Sequence, residues 1–149
     1  HIIDAVYNDT AISDYILNKD WNKYDELMVY LKNHKLPLSG DYYLLGAQTK
    51  DLQTLNHEIS HGLFYTNKEY QKEMKNLVKN LPNKITKLFN QWLKNNMYHR
   101  SVWIDEMHAY LSTGLVDSQK DLFKEKKIDI KTIRKPFIKL FKQYNADIV

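Results

Sequence analysis

Apolar residues recur at helical spacing along most of this chain of 149 residues, and that spacing constrains the fold more than any other feature. Apolar side chains at every third or fourth position form one face of an amphipathic helix, which packs on a core. The pattern predicts helices at residues 9–18, 20–33, 50–65, 66–80, 85–96, 102–113, 118–126 and 133–144. Pro136 fits the first turn of the last helix, where its missing N–H costs little.

Residues that break helices are scarce in this chain. It has 4 glycines and 3 prolines, too few for the many turns of a β-sandwich. Hydrophobic residues make up 43% and aromatic residues 13%, a composition that excludes a disordered tail and supports a buried core. We therefore expect a single domain, residues 1–149, in which a segment from about 115 to 149 packs on the rest.

One short segment has the character of a strand. Residues 41–46 (DYYLLG) are rich in Tyr and Leu and are bounded by Gly40 and Gly46. The predicted helix at residues 50–65 follows almost at once. Together these features predict an α+β fold that is predominantly α-helical, with a small sheet whose edge strand is residues 41–46.

The charge is small and unevenly placed. The chain has 22 basic and 18 acidic side chains, a formal net charge of +4. Residues 1–112 are neutral, with 13 of each sign, and the whole excess lies in residues 113–149, with 9 basic and 5 acidic side chains. Because a dedicated nucleic-acid binder is more basic than this, we expect no nucleic-acid partner.

The chain has no cysteine, which excludes disulfides and thiolate metal ligands. No apolar run approaches the roughly 20 residues of a membrane span, and no signal peptide is visible. We therefore expect a soluble protein, and a fragment or processed form because the first residue is His1.

The chemistry of the chain is concentrated in His57-Glu58-Ile59-Ser60-His61, an H-E-x-x-H sequence inside a predicted helix. At about 100° per residue, His57 and His61 lie about 40° apart and one turn apart along the helix. Two imidazoles so placed can share one zinc ion. Glu58 lies about 100° from His57, beside the ion, where it can take a proton from a water.

The apolar residues of the same helix occupy the opposite face. Leu52, Leu55, Ile59 and Leu63 fall roughly 140–240° from His57 on the helical wheel. This arrangement predicts that one side of the helix is buried and that the histidine pair faces a cleft. The alternative is a surface helix that carries two solvated histidines.

The stretch DYYLLGAQTKDLQTLNHEISHGLFY resembles the core of the zincin metallopeptidases. The resemblance implies zinc, a peptide or protein substrate and an edge strand, residues 41–46, that pairs with extended substrate. The metzincin extension is absent, because Phe64 and Asn67 occupy the positions of its Gly and third His. The resemblance therefore favours a gluzincin-like arrangement, in which a Glu from a later helix is the third ligand.

Glu106 is the favoured third ligand. In the predicted helix at residues 102–113 it lies on the shoulder of the apolar face, where an unpaired carboxylate is costly and zinc is a suitable partner. The wheel places Asp105 and His108 on the far side of this helix. The alternative for Glu106 is a salt bridge to a lysine. Gluzincins often have an Asp four residues after this Glu, where this chain has Tyr110.

The resemblance implies a zinc-dependent metallopeptidase in which Glu58 is the general base. A tetrahedral oxyanion needs a hydrogen-bond donor, and the candidates near Glu106 are Tyr98, His99 and Tyr110. Each has an ordinary alternative, as a core or surface aromatic or as a loop residue. Asn56 and Ser60 adjoin the histidines and are candidates for supporting contacts.

A hypothesis of another class is a non-catalytic binding module on a zincin-like scaffold. Its binding surface would be the Lys-rich segment KEKKIDIKTIRKPFIKLFKQ, which alternates Lys with apolar residues as an amphipathic helix does. Such a helix can touch an acidic partner or a membrane surface. The alternative is an ordinary packing helix with its lysines in water and its apolar side chains on the core: Ile133, Phe137, Leu140, Phe141 and Tyr144.

Overall fold

A computed structural model describes Tyr43, Leu45 and residues 51–146. By its contacts the chain divides into two units, residues 1–40 and 41–149, and all described residues belong to the second. The single-domain arrangement stays a prediction. The helices are α1 (Leu52–Thr66), α2 (Lys68–Lys79), α3 (Asn83–Asn95), a 3₁₀ helix (Arg100–Val102), α4 (Trp103–Thr113), α5 (Asp117–Glu125) and α6 (Ile130–Asn145).

The predicted α+β class with a small sheet is wrong for the part of the chain that the structure describes, which contains no strand. Tyr43 and Leu45 belong to the predicted strand at residues 41–46 and have no regular secondary structure. Both lie against Gly62 of α1, where an added Cβ would be 3.5 Å from Tyr43 and 3.6 Å from Leu45. Tyr and Leu are common in strands because they fit a partly covered surface, and packing against α1 gives these two residues such a surface without a strand.

The other strand positions, and the predicted helices at residues 9–18 and 20–33, lie outside the described residues. Each of the six later helices is present, with ends that differ from the prediction by at most three residues. Apolar periodicity is therefore a sufficient signal for the helices of this unit, and the differences lie at their caps.

Helix α4 lies at the centre of the packing and contacts α1, α2, α3 and α6. Its six residues from Met107 to Ser112 are all buried. This burial is continuous around the helix because neighbours cover it on several sides. The largest apolar side chains that are fully buried are Tyr70, Phe89, Phe123, Phe137, Met74, Leu93, Met107 and Leu111.

Helix α1 is buried on the side that carries His61. Its buried residues are Ser60, His61, Leu63 and Phe64. Leu52, expected on the buried face, is 68% exposed. The predicted separation between a core face and a histidine face is therefore wrong. The helix meets α4 through the very face that bears the second histidine.

Helix α6 begins at Ile130, three residues before its predicted start. Asp129 caps it by accepting hydrogen bonds from the N–H groups of Lys131 and Thr132. Pro136 consequently lies inside the helix and not in its first turn, so one backbone hydrogen bond is missing there. Phe137, Leu140 and Phe141 are buried, and the lysines of the helix are exposed, as expected of an ordinary packing helix. No helix in the described part of the chain has the length and apolar character of a membrane span.

Asn67, and not Thr66, caps helix α2. The Asn67 side chain accepts hydrogen bonds from the N–H groups of Glu69 and Tyr70, at 3.1 and 3.0 Å. Thr66 is still the last residue of α1, and its hydroxyl donates to the carbonyl of Gly62. Thr66 and Glu69 are three residues apart, which is the spacing of a capping box, but the observed cap lies one residue later, at Asn67.

The two positions should therefore respond differently to alanine. Asn67→Ala removes the acceptor for the first turn of α2 and should lower the free energy of unfolding by about 1 kcal/mol. Thr66→Ala places a good helix former at a helical position and should change it by about 0.5 kcal/mol or less. Urea unfolding of the two variants measures this. A larger loss for Thr66→Ala would contradict the assignment.

Candidate metal centre

Helices α1 and α4 bring His57, His61 and Glu106 to one point. The Nε2 atoms of the two histidines are 3.1 Å apart. The Glu106 carboxylate oxygens lie 3.7 Å from His57 Nε2 and 3.8 Å from His61 Nε2. All three residues that the sequence predicted as ligands are thus within reach of one ion, and this group can hold a metal ion.

The spacing of the three residues fits a small tetrahedral cation. Bonds of about 2.0–2.1 Å at tetrahedral angles separate neighbouring ligand atoms by roughly 3.3 Å, close to the distances found here. Glu106 Oε2 is buried and has no hydrogen-bond partner among the described residues. A buried carboxylate oxygen without a partner is costly, and a cation at this point removes the cost.

Asp105 supports the cluster from the side away from Glu106. Its Oδ1 is 2.8 Å from His61 Nδ1. Since an ionised carboxylate only accepts hydrogen bonds, Nδ1 is the protonated nitrogen of His61. In the neutral ring the lone pair of His61 is therefore on Nε2, the nitrogen that lies near His57 and Glu106. A carboxylate on the outer nitrogen of a ligand histidine fixes the tautomer and ring orientation in many metal sites.

The charges around His61 favour its protonated form when no metal is present. Burial by itself lowers the pKa of His61. The hydrogen bond and charge of Asp105, with the charges of Glu106 and Glu58, reverse this effect, so the pKa is raised. The site is thus a negatively charged cluster that attracts either a proton or a cation.

His108 is not a member of the cluster, although it lies close by. It is fully buried, stacks on Phe64 at 4.5 Å between ring centroids, and its Nε2 lies 3.3 Å from the Ser60 carbonyl oxygen. Burial lowers its pKa to about 4, so the ring is neutral. The wheel placed His108 and Asp105 on the far side of α4. Both in fact contact α1: Asp105 bonds to His61, and His108 bonds to the carbonyl of Ser60, because α1 packs on the side of α4 that the wheel left open.

Glu58 acts on the site through its charge. It is partly buried on α1, between the two histidines in sequence. Burial raises the pKa of Tyr43, and the charges of Glu58, Asp105 and Glu106 raise it further, so this exposed tyrosine also borders the site. Sequence reasoning assigned Tyr43 only to a strand. The structure places Tyr43 near the site by its contact with Gly62 of α1.

The predicted oxyanion donors occupy different places. Tyr110 is buried, its ring centroid lies 4.7 Å from that of His57, and its hydroxyl is 3.0 Å from the Tyr98 hydroxyl. Burial raises the pKa of Tyr110, and so does the hydrogen bond with Tyr98, so the phenol stays neutral. His99 is exposed and its ring bonds to Ser101 at 2.8 Å. Tyr110 is thus beside a ligand, Tyr98 is one hydroxyl away, and His99 caps the 3₁₀ helix.

Ser60 links the two helices through its backbone. Its hydroxyl donates to the carbonyl of His57 at 2.7 Å, and its own carbonyl accepts from His108. Both contacts lie directly behind the histidine pair. The supporting contact predicted for Ser60 therefore goes to the backbone of His57 and not to a ring nitrogen.

Loss of Asp105 should weaken metal binding. Asp105→Ala leaves the His61 ring without its carboxylate, and we expect Zn²⁺ affinity to fall about 10- to 100-fold. Asp105→Asn keeps an acceptor for His61 and should lie between Asp105→Ala and the wild-type chain. Competition with a chromophoric chelator measures the affinities.

The matched control is Asp121→Ala, on the exposed side of α5. It should bind Zn²⁺ as the wild-type chain does, and circular dichroism checks that all variants are folded. Unchanged affinity in folded Asp105→Ala would contradict the supporting role.

No protein-family model, curated protein or solved structure matches the chain.

Proposed function

We propose that the chain is a zinc-dependent metallopeptidase whose ligand set, His57, His61 and Glu106, is of the gluzincin type. The observation that carries the proposal is the convergence of these three side chains from α1 and α4, with one Glu106 oxygen that is buried and has no hydrogen-bond partner among the described residues. Two histidines and a carboxylate are typical of catalytic zinc sites, which keep a fourth position open. A structural site is usually closed by a fourth protein ligand.

The chain's own residues supply the positioning and the proton transfer. Asp105 holds His61 with its Nε2 lone pair toward the site, and Glu106 provides the negative charge opposite the histidines. Bound zinc supplies a Lewis acid that polarises a peptide carbonyl and lowers the pKa of water. Glu58 accepts the proton of the attacking water and delivers it to the departing amine.

A hydrogen-bond donor for the developing oxyanion completes the mechanism. Of the three predicted donors, Tyr110 is supported best because it lies against His57. Its hydroxyl and that of Tyr98 share one hydrogen bond, so one of the two phenol protons remains available for another acceptor. His99 is exposed and already bonded to Ser101, which leaves it the weakest candidate.

The proposal predicts a separation between metal binding and hydrolysis. Glu58→Gln keeps the shape of the side chain and removes the base, so it should retain about one zinc ion per chain and lose at least about 100-fold in rate. Elemental analysis of protein purified without chelator gives the metal content. Cleavage of denatured casein and of a quenched fluorescent peptide library gives the rate.

The control for this variant is Glu69→Gln, which changes an exposed glutamate of α2 in the same way. It should keep both zinc and activity. Full activity of Glu58→Gln would contradict the mechanism. A zinc-loaded wild-type chain that cleaves neither casein nor any library peptide would favour a non-catalytic binding module.

A further inference from the structure

A second feature adjoins the candidate metal centre. A cavity of about 240 Å³ opens between the N-terminal end of α1 and the C-terminal end of α4. His57 and Tyr110 line it, as do Thr54 of α1 and Gly114 at the end of α4. Because His57 is a proposed ligand, whatever enters this cavity lies beside the reacting centre. A cleft for a drug-sized molecule holds roughly 300–1,000 Å³, so this one suits a single side chain.

The charge of the cavity has one sign. Among the described residues that line it, Asp51 is the one carboxylate, and none is Lys or Arg. Hydrogen bonds from the hydroxyl and N–H of Thr54 lower the pKa of Asp51, so it is ionised at neutral pH. The C-terminal end of α4, at Gly114, adds the partial negative charge of a helix terminus. Arg134 donates to the carbonyl of Leu111 near that end but does not line the cavity.

The neighbouring metal centre does not reverse the negative charge of the cavity. Glu58, Asp105 and Glu106 bring three negative charges to the neighbouring centre, against two positive charges of a bound divalent ion. The Tyr110 phenol is neutral. A cationic side chain is therefore favoured in the cavity, and a carboxylate is disfavoured.

We propose that this cavity is the specificity pocket of the enzyme and that it takes a basic side chain, Lys or Arg, of the peptide substrate next to the cleaved bond. The inference rests on the proposed function, because the chain has a peptide substrate only if it is a peptidase. The binding preference itself rests only on the cavity and its charge.

The test compares two probes on the full chain. N-acetyl-lysine methylamide and N-acetyl-norleucine methylamide differ by the ammonium group. Amide shifts of isotope-labelled protein, followed at Gly114, report binding at the cavity. We expect the lysine probe to bind about two- to fivefold more tightly, the range typical of an exposed ion pair.

A matched pair of variants isolates the charge. Asp51→Asn removes the charge and keeps an N-cap, since Asn caps as well as Asp. It should abolish most of the lysine preference. Asp129→Asn makes the same change at the cap of α6 and should leave the preference intact. Val116→Phe fills the cavity and should weaken both probes, which confirms the location.

Three outcomes would overturn the inference: equal affinities in the wild-type chain, an unchanged preference in Asp51→Asn, or amide shifts that lie away from the cavity. Library cleavage separates this failure from that of the proposed function. If the wild-type chain cleaves peptides without preference for Lys or Arg, the pocket assignment is wrong and the peptidase stands. If the lysine probe binds at the cavity and nothing is cleaved, the peptidase is wrong.

Discussion

The hydrogen bond between His61 Nδ1 and Asp105 Oδ1, 2.8 Å long, is the interaction on which the site depends. It joins buried His61 of α1 to the partly exposed Asp105 of α4, and it fixes the tautomer of His61. Glu106 follows Asp105 directly, so the same placement of α4 that makes this bond brings the third carboxylate to the histidines. One inter-helix contact therefore orients the His61 ring and brings Glu106 to the two histidines.

Without a cation, this arrangement lowers the stability of the folded chain. Three carboxylates, Glu58, Asp105 and Glu106, act on a histidine that is 8% exposed, and one Glu106 oxygen has no described partner. Partly buried like charges repel each other, and the desolvation of each adds to the cost. Groups selected for stability alone would not meet in this way. A metal ion that binds only the folded chain would convert the cost into stabilisation.

Local patterns in the sequence were enough for the helices and for the three residues of the candidate metal cluster. Residues four apart lie on one face of any helix, which was enough to place His57 and His61 together. The position of Glu106 at the edge of the apolar face followed from the same periodicity. Contacts between helices could not be predicted in this way. The wheel treats a helix as having one buried side, but α4 contacts several helices, and one of them, α1, packs on the side that carries Asp105. Likewise, Tyr43 was predicted to be part of a strand because Tyr and Leu between glycines are typical of strands, whereas it lies beside Gly62 of α1 without regular secondary structure.

The most direct test of the account is the position of a bound ion. Crystals of the full chain with zinc, measured at the zinc absorption edge, would locate the ion by its anomalous signal. The account predicts one ion within about 2.0–2.2 Å of His57 Nε2, His61 Nε2 and a Glu106 oxygen, with a position left open for a non-protein ligand. An ion held elsewhere, or a Glu106 carboxylate turned away from the histidines, would contradict it.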